Sequence, residues 1–346
     1  MSLTVLSVSY PLARVSADST GGSEQVLSTL DRALVAARHR SVVVAPEGSC
    51  IAGELVPIDW SPGVLDEDAR EAAQASNRAA IARVLARERV DLVHLHGIDF
   101  HRYLPEAGPP VLATLHLPPD WYPPGALHPA RPCTWLNGVS AAQHAACPAS
   151  PNLVPPIENG IPVDRLAARH AKRGFALFLG RICPEKGVHL ALQAAHRAGV
   201  PLIVAGELYT YAAHRDYFDA EVRPLLDGRR RFVGPVGFAR KRRLLTAARC
   251  LLVPSLAAET SSLVAREAAA CGTAVVAFPN GALADAVVPG RTGLLVDGVD
   301  AMAAAIADCG GIDPEVCRAV ARERFDERRM TDAYLGLYRR LTEAGA

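Results

Sequence analysis

The sequence is short of aromatic residues, of net charge and of long apolar runs. Trp, Tyr and Phe make up 5% of its 346 residues, which argues against a base-stacking surface for single-stranded nucleic acid. Lys and Arg number 37 against 36 Asp and Glu, so no bulk attraction to nucleic acid or to an anionic membrane is expected. No stretch approaches the roughly 20 apolar residues that a membrane-spanning helix needs. Cys-x-x-Cys is missing too. The eight cysteines stand at 50, 133, 147, 183, 250, 271, 309 and 317, several of them inside apolar runs. They read as reduced, packed thiols rather than a disulfide frame or a zinc site. Met1–Tyr10 carries no basic segment and reads as a first β-strand rather than a leader. The expectation is a cytoplasmic protein with at most peripheral membrane contact.

What is present is an alternation. Short β-branched runs are followed by longer Ala-, Leu- and Arg-rich segments of helical period, which predicts an α/β protein built from repeated βα units on parallel sheets. In the first half the strands are 4–9, 41–45, 91–95 and 111–115, with helices over 23–38 and 67–89. A proline-dense stretch, 105–132, must be largely irregular because proline removes backbone donors and fixes φ. The pattern restarts with strands at 176–179, 201–205, 231–233, 251–254 and 274–278, and helices at 187–198, around 244–248 and at 263–271. Two Rossmann-like domains facing each other across a cleft are expected, 1–168 and 169–329, joined by the polar stretch Ala167–Gly174. A last helix, about 330–346, is placed to pack back on the first domain.

The most informative residues are Glu259 and Glu267, after the strand signal Cys250–Val253 and at the opening of a helix that ends at Gly272. Open α/β sheets hold their ligands at the carboxyl ends of strands. Two carboxylates beside a free helix N-terminus suit a polyhydroxylated ligand that also carries phosphate. Gly180–Gly187 follows the first strand of the second domain and projects Arg181 and Lys186 toward the same edge. Two fixed cations stabilise the negative charge that grows on a leaving diphosphate. Gly21-Gly22-Ser23 starts the first helix and reads either as a phosphate-approaching turn or as a simple turn. His94, His96 and His116 each close an apolar strand; without a ligand carboxylate at helical spacing they do not make a metal site. Asp66-Glu67-Asp68 reads as the acidic first turn of a helix. The basic runs Arg229–Arg231 and Arg240–Arg243 read as solvated faces around a glycine-bearing segment.

In combination these residues resemble the retaining glycosyltransferases of family 4, whose fold is GT-B. The matching motifs are Gly21-Gly22, the strand-end His116, Asn159-Gly160-Ile161, Gly180–Gly187, Glu259 with Glu267, and Ala270–Ala277. The resemblance covers nearly the whole chain. It implies that Arg181 and Lys186 grip the donor diphosphate, that Glu267 meets the ribose and that Glu259 meets the transferred sugar. It places His116 near the transferred sugar and the reacting centre. Gly22, Gly206, Glu207, Gly234 and Val236 would border the donor, and Thr260, Ser261, Ser262 and Leu263 would face its sugar and phosphate. It implies a nucleotide diphosphate sugar as co-substrate, UDP favoured over GDP or ADP, with no metal or other cofactor and with retained anomeric configuration. The acceptor is a hydroxyl of a saccharide, a lipid-linked glycan or a small natural product. One departure stands out: Thr260-Ser261-Ser262 replaces the aromatic and the glycine usual after the first glutamate. A second is Asp285, where the family often has glutamate. Two other readings share this site: a GT-B sugar-nucleotide epimerase, and a non-catalytic partner subunit that binds sugar nucleotide.

Overall fold

The computed structural model describes residues 2–59 and 66–344. Met1 of the first expected strand, and Gly345 and Ala346 of the last expected helix, lie outside the described residues. The chain divides into two compact units. One runs to Asn159 and resumes at Arg328; the other is Gly160–Glu327.

The first unit carries a parallel sheet in the order β3-β2-β1-β4-β5-β6-β7. Its strands are β1 (Thr4–Val8), β2 (Arg40–Pro46), β3 (Glu54–Ile58), β4 (Leu92–Leu95), β5 (Val111–Leu115), β6 (Thr134–Gly138) and β7 (Leu153–Val154). Every residue of β4 and β5 is buried, as expected where helices cover both faces of a parallel sheet. Three strands of this unit were not expected, nor was the strand Gly293–Leu295 of the other. β3 is a half-exposed edge that contains Pro57, a residue that reads against strand except at an edge. β6 ends in Asn137-Gly138, which resembles a turn, and β7 is two residues long. Asp66 does cap the Glu67–Arg87 helix, its Oδ1 accepting from the Ala69 amide at 2.9 Å.

The last helix, Glu327–Ala344, returns to this unit after Glu327. Met330, Leu337 and Leu341 join Leu3, Val26 and Leu34 in one apolar cluster. Two tyrosines add a buried polar network. Thr114 Oγ1 donates to Asn137 Oδ1 at 2.7 Å, so its lone pairs face His94 Nε2 at 2.7 Å and the Tyr334 hydroxyl at 3.2 Å. His94 must therefore carry its proton on Nε2, leaving Nδ1 to accept from the Tyr338 hydroxyl at 2.8 Å. Buried polar groups satisfied in this way specify one packing arrangement.

The second unit carries a parallel sheet in the order β10-β9-β8-β11-β12-β13. Its strands are β8 (Ala176–Leu179), β9 (Leu202–Ala205), β10 (Arg230–Phe232), β11 (Cys250–Val253), β12 (Ala274–Ala277) and β13 (Gly293–Leu295). The stretch Ala167–Gly174 lies within this unit and leads into β8. The chain builds outward from β8 to β10, then returns to add β11 on the other side of β8. That reversal is a topological switch point, the crevice in which open α/β sheets bind ligands. Among the described residues no helix is long and apolar enough to cross a membrane.

Candidate functional site

The segment after β8 is a tight turn. Pro184–Lys186 forms one turn of 3-10 helix, and Gly187, at φ +64°, opens the Val188–Arg197 helix. A Cβ at Gly187 would come within 2.2 Å of the Pro254 carbonyl oxygen, so only glycine lets this turn press against the end of β11. The contact is reinforced where the Leu256 amide donates to the Glu185 carbonyl at 2.8 Å. Glu207 and Gly234 come to the same sheet edge: the Ile182 amide donates to the Glu207 carbonyl and the Gly206 amide to the Gly234 carbonyl. Gly206, at φ +151°, leaves no room for a side chain beside the Gly180 carbonyl. Val236 follows on the way to Gly237, which precedes the Phe238–Ala247 helix.

Lys186 and Glu259 are thereby brought together. The ammonium lies 2.5 Å from Glu259 Oε1, and the Ser255 hydroxyl donates to the same oxygen at 2.5 Å. Burial alone would raise the Glu259 pKa. The Lys186 charge and hydrogen bond, Ser255 and the more distant Arg181 outweigh it and hold the carboxyl below its usual value. The backbone of Glu259 is fixed by bridging to Gly281, and Asn280 Nδ2 donates to the Ser255 carbonyl at 2.6 Å. The expected sugar-facing carboxylate thus sits ionised on a rigid loop, with a cation against it.

Glu267 has a partner that sequence reasoning missed. Lys241 Nζ lies 2.5 Å from Glu267 Oε1, with side-chain exposures of 12% and 4%. The run Arg240–Arg243 is therefore not wholly a solvated face; its one lysine turns inward because the Phe238–Ala247 helix packs that residue toward the Leu263–Ala270 helix. Arg230 corrects the other basic run: it is buried, with Nη1 2.9 Å from Asp227 and Nη2 donating to the Ala195 carbonyl. A single lysine among arginines, on a helix beside a glutamate-bearing one, was the available signal.

Between the two carboxylates lies the departure from the family pattern. Ser262 takes a left-handed conformation, φ +52° and ψ +67°, directly before the Leu263–Ala270 helix. A side chain there is strained. The hydroxyls of Ser261 and Ser262 are buried with no hydrogen-bond partner, whereas Thr260 and Leu263 are half-buried. Arg266, also unforeseen, is almost fully buried, donates from Nε to the Ser261 carbonyl at 3.2 Å and lies over the Phe325 ring.

His116 and Gly22 belong to the first unit. His116 follows β5, its amide donating to the Tyr122 hydroxyl at 3.0 Å, and its Nε2 is 3.0 Å from His96 Nδ1. Burial pushes its pKa down to about 3 and lowers those of His94 and His96 as well, so the cluster is neutral at physiological pH. Gly22 begins the first helix, where the Ser23 hydroxyl donates to the buried carboxylate of Glu24 at 2.8 Å. A carboxylate thus already occupies that helix's first turn.

Two family models match the chain: one described as glycosyl transferases group 1, over residues 173–309, and one described as glycosyltransferase family 4, over residues 20–149. A D-inositol 3-phosphate glycosyltransferase of Mycobacterium tuberculosis is 37% identical over 217 residues, covering 57% of this chain and 45% of the relative. The chain thus spans about half the length of the curated relatives it matches. Among solved structures, AviGT4, a glycosyltransferase involved in avilamycin A biosynthesis, aligns with a TM-score of 0.72 at 25% identity, covering 99% of both chains. Anabaena Alr3699/HepE, in complex with UDP-glucose, aligns with a TM-score of 0.73 at 18% identity, over 97% of this chain and 99% of that one.

Proposed function

The chain belongs to the family 4 type of glycosyltransferases, with the GT-B fold, and from that premise we propose that it moves a sugar from a nucleotide diphosphate sugar to a hydroxyl acceptor. The observation that carries the proposal is the partly buried Lys186–Glu259 pair at the β8/β11 switch point. In this reading Lys186 and Arg181 take up the charge of the departing diphosphate, which positioned cations stabilise without a metal ion. Glu259, kept ionised, accepts from hydroxyls of the transferred sugar, and Glu267 accepts from the ribose. His116 keeps the place near the transferred sugar that the resemblance gives it. As a neutral imidazole it acts there as a hydrogen-bonding group and not as a cation.

UDP is the favoured nucleotide, in keeping with the UDP-glucose complex of a protein that shares the fold. Anomeric configuration is retained, as the resemblance implies. The acceptor is a hydroxyl compound, and the inositol phosphate in the curated relative's name sets the first class to try. The test is a panel of UDP-, GDP- and ADP-sugars incubated with the chain in EDTA, with and without acceptors. Release of nucleoside diphosphate with an axial-to-axial or equatorial-to-equatorial product by NMR is expected. Activity that vanishes in EDTA and returns with Mg²⁺ or Mn²⁺ sinks the metal-free mechanism. A new sugar nucleotide formed without free nucleoside diphosphate indicates an epimerase.

A further inference from the structure

We propose that Cys183, Glu185 and His214 form a zinc site that ties the segment after β9 to the turn carrying Lys186. Among the described residues this is the one cluster of three potential metal ligands, their ligand atoms all within 4.8 Å of one another. It combines one sulfur, one oxygen and one nitrogen donor, a set that suits Zn²⁺, a borderline-soft ion that takes all three. Around a tetrahedral zinc such atoms stand roughly 3.3–3.6 Å apart. Closure therefore needs the ligand atoms to draw together by at most about 1.5 Å.

The site is also poised for an ion. Cys183 is 1% exposed, and its thiol donates to the Arg181 carbonyl at 3.9 Å, which leaves the sulfur lone pairs open to an ion. His214 Nδ1 is buried with no hydrogen-bond partner. Its ring is held edge-on by Tyr211 at 5.2 Å and Tyr209 at 6.4 Å. Zinc bound here replaces the thiol proton, which leaves to solvent, and bonds to the thiolate, the carboxylate and the imidazole. The fourth position stays open to water. No step of sugar transfer runs through the ion. Its effect is mechanical: Cys183 and Glu185 sit on the Lys186 turn, His214 on the Ala212–Tyr217 helix, and a shared ion holds the two together.

Cobalt, which reports thiolate ligation through a charge-transfer absorption, is the probe. Cys50 and Cys133 are exposed and Cys147 is half-buried, so the full chain with all three changed to Ser serves as the parent. The parent is expected to bind one equivalent of Co²⁺ with a thiolate charge-transfer band that Zn²⁺ displaces. Cys183→Ser should abolish the band, and His214→Gln or Glu185→Gln should weaken binding at least about tenfold. Amide exchange over 208–217 should slow with Zn²⁺ in the parent and not in Cys183→Ser. No band in the parent overturns the site. A band that survives Cys183→Ser reveals adventitious ion binding and overturns it equally. None of these readouts depends on transferase activity, so the site stands or falls separately from the proposed function.

Discussion

Lys241 Nζ lies 2.5 Å from Glu267 Oε1, and both side chains are nearly out of water. A carboxylate assigned to a ribose is thus already neutralised by a neighbour on the adjoining helix. The pair shapes Glu267 as much as any ligand does, because a buried carboxylate stripped of its cation is costly.

Lys241→Met should therefore loosen the nucleotide end of the site. We expect the donor KM to rise about tenfold with kcat changed less than about twofold, the signature of lost uniform binding. The thermal midpoint should fall as well. Equal loss in kcat and in kcat/KM would place Lys241 in the transition state and reject this role.

Lys186→Ala should cut kcat by about 10²–10³, the usual loss when one preorganised charge-stabilising group is removed. It should also lower Tm by several degrees, because Glu259 is left buried and ionised. Adding Glu259→Gln should recover Tm and leave turnover low. A double variant that regains activity would show Lys186 to be structural only.

Ser262→Gly should stabilise the chain by about 1–2.5 kcal/mol. Relief of the left-handed conformation is worth about 1–2 kcal/mol and removal of a buried unpaired hydroxyl about 1 more, against about 0.5–1 for glycine's backbone entropy. Differential scanning calorimetry reads the shift. A drop in Tm means that the hydroxyl has a partner and the strain argument fails.

Acid should destabilise the first unit. His94, His96 and His116 all have folded pKa values below the usual 6.5, so the unfolded chain binds more protons than the folded one once pH falls below about 6.5. Stability is full above that value and is lost on acidification, with a slope of up to about three protons. Denaturant titrations from pH 7.5 to 5 check it. A flat profile refutes the burial of these imidazoles as neutral groups. Transfer activity should show no limb near 6.5 from His116.

The two sheets, their parallel sense and the motif positions at strand ends were legible because buried parallel strands are short β-branched runs. Edge strands such as β3 were not, since half-exposure and Pro57 erase the periodic signal. Motif spacing put Lys186 and Glu259 at one sheet edge, and the direct contact between them is a feature of the fold. Lys241 left only the faint signal of one lysine among arginines and Arg266 left none, because which side of a helix meets a neighbouring helix is decided by tertiary packing. The strain at Ser262 was foreshadowed only as a missing glycine.

The return of the last helix to the first unit has a consequence for how the molecule is made. On the ribosome, Gly160–Glu327 emerges complete while the earlier unit still lacks Tyr334 and Tyr338. Until those arrive, His94, Thr114 and Asn137 have an open polar wall in place of a core. The unit whose synthesis starts earlier is thus completed after the later one, and truncation near residue 330 removes the closing wall that Tyr334 and Tyr338 give it.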